Sequence, residues 1–315
     1  MSAETFYLEM NDGERVAVHA WLPSSTPTAV LQICHGMAEY AMRYERFAEA
    51  AVASGYAVFA ADHRGHGLTA GSLDKLGYLA DRNGFDRVVE DQREISRAIQ
   101  ARIPGRPIVL FSHSFGSFVG QGFIERYGTE ISGAILSGTR GPDPITVCSG
   151  RFLAHAICLF SNRRKPSHFL TQLSFGGCNK RIPDAQSPNA WLSRDAREVE
   201  KYDASPWSGF PCSAGFYRDL MDGLSQIHRK RALAGIPRSL PVLMLVGEDD
   251  PIGSYGKTVR ALERRYRANG MARVTVKTYR KARHELLNDV NRDEVTADIT
   301  EWMGQTLREA QMGQA

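Results

Sequence analysis

The sequence predicts a doubly wound, mostly parallel α/β sheet with an inserted, mainly helical cap. Three observations carry the prediction. Short apolar runs rich in β-formers recur along the chain, helical patterns separate them, and the alternation stops over one proline-rich stretch. Continuous apolar strands belong to a sheet covered on both faces, and strand-helix-strand repeats imply right-handed crossovers.

The elements follow in order. MSAETFYLEMNDGERVAV alternates polar and apolar residues and reads as a first strand; it lacks the basic region and apolar core of a signal peptide. AVLQIC (29–34) is the next run, and Tyr44, Phe47, Ala48, Ala51 and Val52 then share a helical face. AVFAAD (57–62) leads to a second helical face of Val88, Ile95, Ile99 and Ile103, and PIVLFSHS (107–114) and GAILSG (133–138) follow. From Pro142 to Pro237 the alternation fails; seven prolines fall between Pro142 and Pro211, and four of the five cysteines between Pro142 and Pro237. We read residues 142–237 as the cap and residues 1–141 and 238–315 as the core. PVLMLVG (241–247) and RVTVKTY (273–279) resume the sheet, and Val295, Ile299, Trp302, Met303 and Leu307 line a last helix. Ligands of open α/β sheets bind beyond the carboxyl ends of the strands, so an insertion leaving the sheet there covers the site.

Composition narrows the function. A chain of 315 residues with 43% hydrophobic content buries one large core. The net charge of +4 comes from 39 Lys and Arg dispersed among 35 Asp and Glu, without the clustered basic face of a nucleic-acid partner. Five cysteines, odd in number and without C-x-x-C spacing, read as reduced thiols of a cytoplasmic protein. No apolar run approaches the roughly 18 residues of a spanning helix. His63 and His66 stand three apart in a glycine-bearing loop, DHRGHG, which reads as a tight structural turn rather than a zinc pair. Neither a phosphate-binding nor a dinucleotide-binding glycine motif is present, so no metal or cofactor is expected.

The chemistry gathers at strand ends. Ser114 ends an apolar strand at a sharp turn into a helix, where a serine exposes its Oγ and the following N–H groups are free. Small residues are required on either side of the turn, and Ser112 and Gly116 supply them. A serine needs a base, and the base an orienting acid. PVLMLVG runs into Glu248-Asp249-Asp250-Pro251, and RVTVKTY into RKARHELLN, so a carboxylate and His284 follow late strands in the order Ser, Asp, His. Asp250 is preferred to Asp249 because it precedes the turn-forming Pro251. AVLQIC ends in His35-Gly36-Met37, a loop able to offer a backbone N–H. With the N–H of Phe115 it makes a two-donor oxyanion hole, each donor worth about 2.7–4 kcal/mol.

Several stretches together resemble the α/β-hydrolase superfamily and, within it, the monoacylglycerol lipase and lysophospholipase family: HGMAEYAMRYERFA, ADHRGHGLT, SHSFGS, GEDDPIG and RHELLNDVNRDEV. The resemblance runs from about Phe6 to Trp302. It implies an α/β-hydrolase fold, Ser114 as nucleophile, Asp250 as acid, His284 as base, and Met37 and Phe115 as oxyanion donors. It also implies substrate contacts at His35, Gly36 and Tyr40. Ser112 stands where the family has a glycine, Ala38 where glycine is frequent, and Tyr40 where histidine is common.

The expected function is hydrolysis of carboxylic esters through an acyl-enzyme, with a single-chain lipid ester such as a monoacylglycerol or lysophospholipid as substrate. Peripheral membrane contact through the cap accompanies that expectation. The alternatives are a small-ester esterase, a thioesterase, an aminopeptidase-like hydrolase, and a receptor-like member of the fold that binds without turnover.

Overall fold

The computed structural model describes residues 3–312. Its strands are β1 (Glu4–Glu9), β2 (Arg15–Trp21), β3 (Ala29–Cys34), β4 (Tyr56–Ala61), β5 (Ile108–His113), β6 (Gly133–Ser137), β7 (Val242–Gly247) and β8 (Val274–Tyr279). They form one sheet in the order β1-β2-β4-β3-β5-β6-β7-β8. β2 pairs antiparallel with β1 and with β4, and every pairing from β4 across to β8 is parallel.

Every residue of β3, β4, β5, β6 and β7 is buried, which explains their unbroken apolar character. Alternate side chains divide between two cores. Leu31, Ile33, Val109 and Phe111 pack with α1 (Glu45–Ala53) and α11 (Arg292–Met312) on one face. Val30, Ile108 and Leu110 face α3 (Gly84–Arg102) and α4 (Phe115–Tyr127) on the other, with α10 (Lys257–Ala268) in the same core. The short α2 (Gly67–Ala70) follows β4.

Two elements differ from expectation. The N-terminal segment forms a hairpin rather than a single strand, because the chain reverses at Met10–Glu14, where the two residues bond through their backbones at 2.8 Å. Its first two residues, Met1 and Ser2, lie outside the described residues. RVTVKTY is not buried on both faces: among the described residues β8 pairs only with β7, and of its own residues only Val274 and Tyr279 are buried.

Between β6 and β7 the chain builds α5 (Pro144–Phe160), α6 (His168–Phe175), α7 (Ala196–Ala204), α8 (Ala214–Gln226) and α9 (Lys230–Leu233). The side chain of Asp143 caps α5 and Pro144 occupies its first turn, the favoured start of a helix. α5 has two apolar faces. Val147 and Ala154 turn inward, whereas Ile145, Phe152 and Leu159, seven residues apart, are 78–82% exposed.

Candidate active site

Ser114 sits between β5 and α4 with φ 52° and ψ −120°, far from relaxed backbone for a residue with a Cβ. Its N–H donates to Ser137 O at 3.0 Å, tying the turn to the neighbouring strand. The flanking residues explain why the turn closes. A Cβ on Gly116 would lie 2.2 Å from Cys34 O, so nothing larger than glycine fits there. Ser112 is accommodated because Gly120 faces it: a Cβ on Gly120 would stand 2.4 Å from Ser112 Oγ. The extra atoms of Ser112 therefore occupy space that a second glycine leaves open.

Asp250 ends the turn after β7. Its Oδ1 accepts the Ile252 N–H at 2.8 Å, and its Oδ2 lies 3.0 Å from Nδ1 of His284. Both side chains are buried, whereas Asp249 is exposed. Burial alone would depress the imidazole, but the Asp250 carboxylate outweighs it and holds His284 above its ordinary range. Nε2 of His284 is buried and makes no hydrogen bond among the described residues, so Ser114 Oγ does not engage it in this structure. Catalytic hydrogen bonds of ligand-free sites are frequently long and tighten on binding.

Other chain segments hold the histidine loop. The N–H of Glu285 donates to Leu192 O at 2.7 Å, and the Trp191 ring stands 5.0 Å from the imidazole, so the turn at residues 190–192, between β6 and β7, packs directly on it. The His113 ring lies 4.8 Å from the imidazole, and burial pushes it down to about 3, so it is neutral. The buried Asp289 accepts the N–H of Arg283 at 2.8 Å and of Val290 at 2.7 Å, closing the loop. His113 and Asp289 fall within the SHSFGS and RHELLNDVNRDEV stretches, but nothing in the sequence shows that they, Trp191 and Leu192 meet around His284.

The loop after β3 faces the elbow. Gly36 N–H donates to Glu39 Oε1, and Arg43 bridges Glu39 to Glu285, contacting the latter through both guanidinium nitrogens at 2.6 and 2.7 Å. Burial pushes the Glu285 carboxyl up, but Arg43 pulls it down to about 2, so that carboxylate stays ionised; burial raises Glu39. This buried bridge spans 242 residues of sequence and links the His35 loop to the residue following His284.

A cavity of about 430 Å³ opens from Ser114 and is lined by Met37, Phe115 and Phe118 below and by Leu153, Leu170 and Met221 above. His35, Gly36 and Tyr40, expected as substrate contacts, are not in its wall. His35 is fully buried, with Nδ1 on Gly36 O at 2.7 Å and Nε2 accepting the His63 N–H at 2.9 Å. Through these bonds His35 holds the loop, and of residues 35–40 Met37 is the one that lines the cavity.

A family model described as serine aminopeptidase, S33, matches residues 25–291. The chain belongs to that family of α/β hydrolases. Within the family, it is 29% identical to a monoacylglycerol lipase of Mycolicibacterium smegmatis across 92% of this chain and 93% of the relative. It is 26% identical to the monoglyceride lipase of Mus musculus across 96% and 91% of the two chains. The crystal structure of a highly thermostable carboxyl esterase from Bacillus coagulans, in complex with glycerol, superposes with a TM-score of 0.90 at 26% identity, covering 98% of this chain and 99% of that one.

Proposed function

We propose that this carboxylic ester hydrolase works through an acyl-enzyme on Ser114 and that its substrate is a single-chain lipid ester. His284 Nε2 takes the Ser114 proton as Oγ attacks the ester carbonyl carbon, and Asp250 holds the imidazole and stabilises its charged form. The N–H groups of Met37 and Phe115 receive the oxyanion. The C–O bond to the alcohol breaks, and the alcohol leaves with the proton from His284. A water molecule, deprotonated by the same Nε2, then releases the acid.

The observation that carries this reading is the cavity: a strained serine turn lies at one end of a largely apolar space, the shape an extended acyl chain requires. Residues 142–237 act as a cap whose α5, α6 and α8 wall that space, and the outward face of α5 makes peripheral contact with the lipid surface. Among the described residues no helix is long and apolar enough to cross a membrane. The monoacylglycerol lipase and carboxyl esterase relatives support an ester rather than a peptide bond.

A fluorophosphonate probe is expected to label the wild type and not Ser114→Ala, which loses turnover by about 10⁶-fold. Across a nitrophenyl ester series from acetate to palmitate, kcat/KM is expected to rise with chain length. A sharp preference for acetate points to a small-ester esterase, faster cleavage of aminoacyl amides to a peptidase, and labelling without turnover to a binding protein.

A further inference from the structure

The DHRGHG loop takes no part in the proton transfers, yet its histidines are buried against the loop that carries Met37. His63 Nε2 donates to His35 O at 2.9 Å, and the two rings stand 4.0 Å apart. The Nε2 of His66 accepts the Ala38 N–H at 3.2 Å, which places its proton on Nδ1, directed at Arg64 O at 2.8 Å. Burial pushes His66 down to about 4 despite the nearby Asp62 carboxylate, so the Nε2 lone pair is present at neutral pH. His35 and His63, the other imidazoles packed against it, are likewise held neutral by burial.

The consequence falls on three successive N–H groups. Gly36 N–H is held by Glu39 and Ala38 N–H by His66, while Met37 N–H, between them, meets no acceptor among the described residues. Ala38 has φ 53°, a left-handed conformation that a residue with a Cβ adopts only when its surroundings enforce it. Its carbonyl is gripped from the cap segment by the Tyr202 hydroxyl at 3.0 Å and the Gly209 N–H at 2.9 Å.

We propose that His66 is a positioning residue for the oxyanion hole, holding Ala38 in its left-handed turn so that the Met37 N–H points at the reacting carbonyl, with Tyr202 gripping the same peptide from the cap. The inference rests on the reading of Met37 as an oxyanion donor. An aromatic ring without an acceptor at position 66 frees the Ala38 N–H, and the turn relaxes toward negative φ, carrying the Met37 N–H with it.

His66→Phe is expected to lower kcat about 100-fold with KM changed by less than about threefold, because the donor acts on the transition state. The Ki of a trifluoromethyl ketone, whose adduct with Ser114 carries the same oxyanion, is expected to rise by a comparable factor. His66→Gln, which restores an acceptor, recovers at least about tenfold of the loss. Tyr202→Phe lowers kcat about fivefold, since the Gly209 N–H stays on the Ala38 carbonyl. Folded His66→Phe with kcat and ketone Ki unchanged overturns the inference, and so does a loss confined to KM. If His66→Phe does not fold, unchanged kcat and ketone Ki in Tyr202→Phe overturn it instead. Full turnover in Ser114→Ala overturns the underlying reading, whereas a dead Ser114→Ala beside an unaffected His66→Phe removes only this inference.

Discussion

Asp250 and His284 are 1–2% exposed, and each loop that carries a candidate catalytic group is tied at its backbone to another segment of the chain. The cap helices above them are built otherwise: Phe152, Leu159 and Phe160 are 78–90% exposed, and Phe169 and Leu173 of α6 are at least 60% exposed. The floor spends its interactions on fixing atoms to within tenths of an ångström, which proton transfer and oxyanion stabilisation demand. The cap leaves apolar area in water, unfavourable for a free monomer but useful where the partner is itself apolar. On the proposed function, reaction type is thus a property of the floor, and access to substrate a property of the cap.

The largest test of this contrast removes the acid from the floor. Asp250→Asn keeps the shape but withdraws the charge that steadies the imidazole, and kcat is expected to fall about 10⁴-fold. The pH profile carries the sign. Asp250 holds His284 above its ordinary range; on the proposed mechanism only neutral His284 can accept the Ser114 proton, so wild-type kcat/KM is expected to fall as pH drops through that raised value. In Asp250→Asn the residual activity keeps its acid limb at lower pH. An unshifted limb, or an undiminished kcat, would assign the role to another carboxylate.

A second test addresses the cap. Phe152→Asp combined with Phe160→Asp places charge on the outward side of α5 without entering the cavity. Removing two aromatic anchors from a lipid interface weakens binding by on the order of 1–3 kcal/mol. Activity on monooleoylglycerol in vesicles is therefore expected to fall about tenfold or more, while a soluble butyrate ester is cleaved within about twofold of wild type. Equal losses on both substrates would show that these side chains support the cap rather than contact lipid, and vesicle sedimentation reads the same difference directly.

The two regions also differ in what their sequences disclose. AVLQIC and PVLMLVG declare buried strands because every residue meets another layer, and the ends of such strands are where a doubly wound sheet gathers its polar groups. β8 hid its nature because an edge strand in RVTVKTY carries nearly the same β-formers as a central one. The links between floor loops were not visible: Arg43 and Glu285 meet across 242 residues, and no local pattern announces a contact made only in three dimensions. His66 was readable as part of a tight loop, but its hold on Ala38 depends on where β3 and β4 end side by side. For the cap, the sequence marked residues 142–237 as an insertion without showing that α5 has two apolar faces, one inward and one outward.

A final test asks how firmly the floor is held from behind. Glu125 lies on α4, the helix that begins at the Ser114 turn; it is 8% exposed, and its Oε1 is buried with no hydrogen-bond partner among the described residues. Burial pushes its carboxyl up to about 9, so it is neutral when folded at pH 7 but ionised when the chain unfolds. The folded state thus binds one more proton than the unfolded state between the ordinary carboxylate range and about 9. Stability from this group falls as pH rises through that window, by on the order of 1 kcal/mol per pH unit. Glu125→Gln keeps the shape and removes the titration. Its Tm relative to wild type is expected to climb by a few degrees between pH 5.5 and 8.5, with turnover at neutral pH nearly unchanged. A constant difference in Tm across that range would mean that water reaches the carboxylate and that α4 is less tightly backed than the strained turn it supports requires.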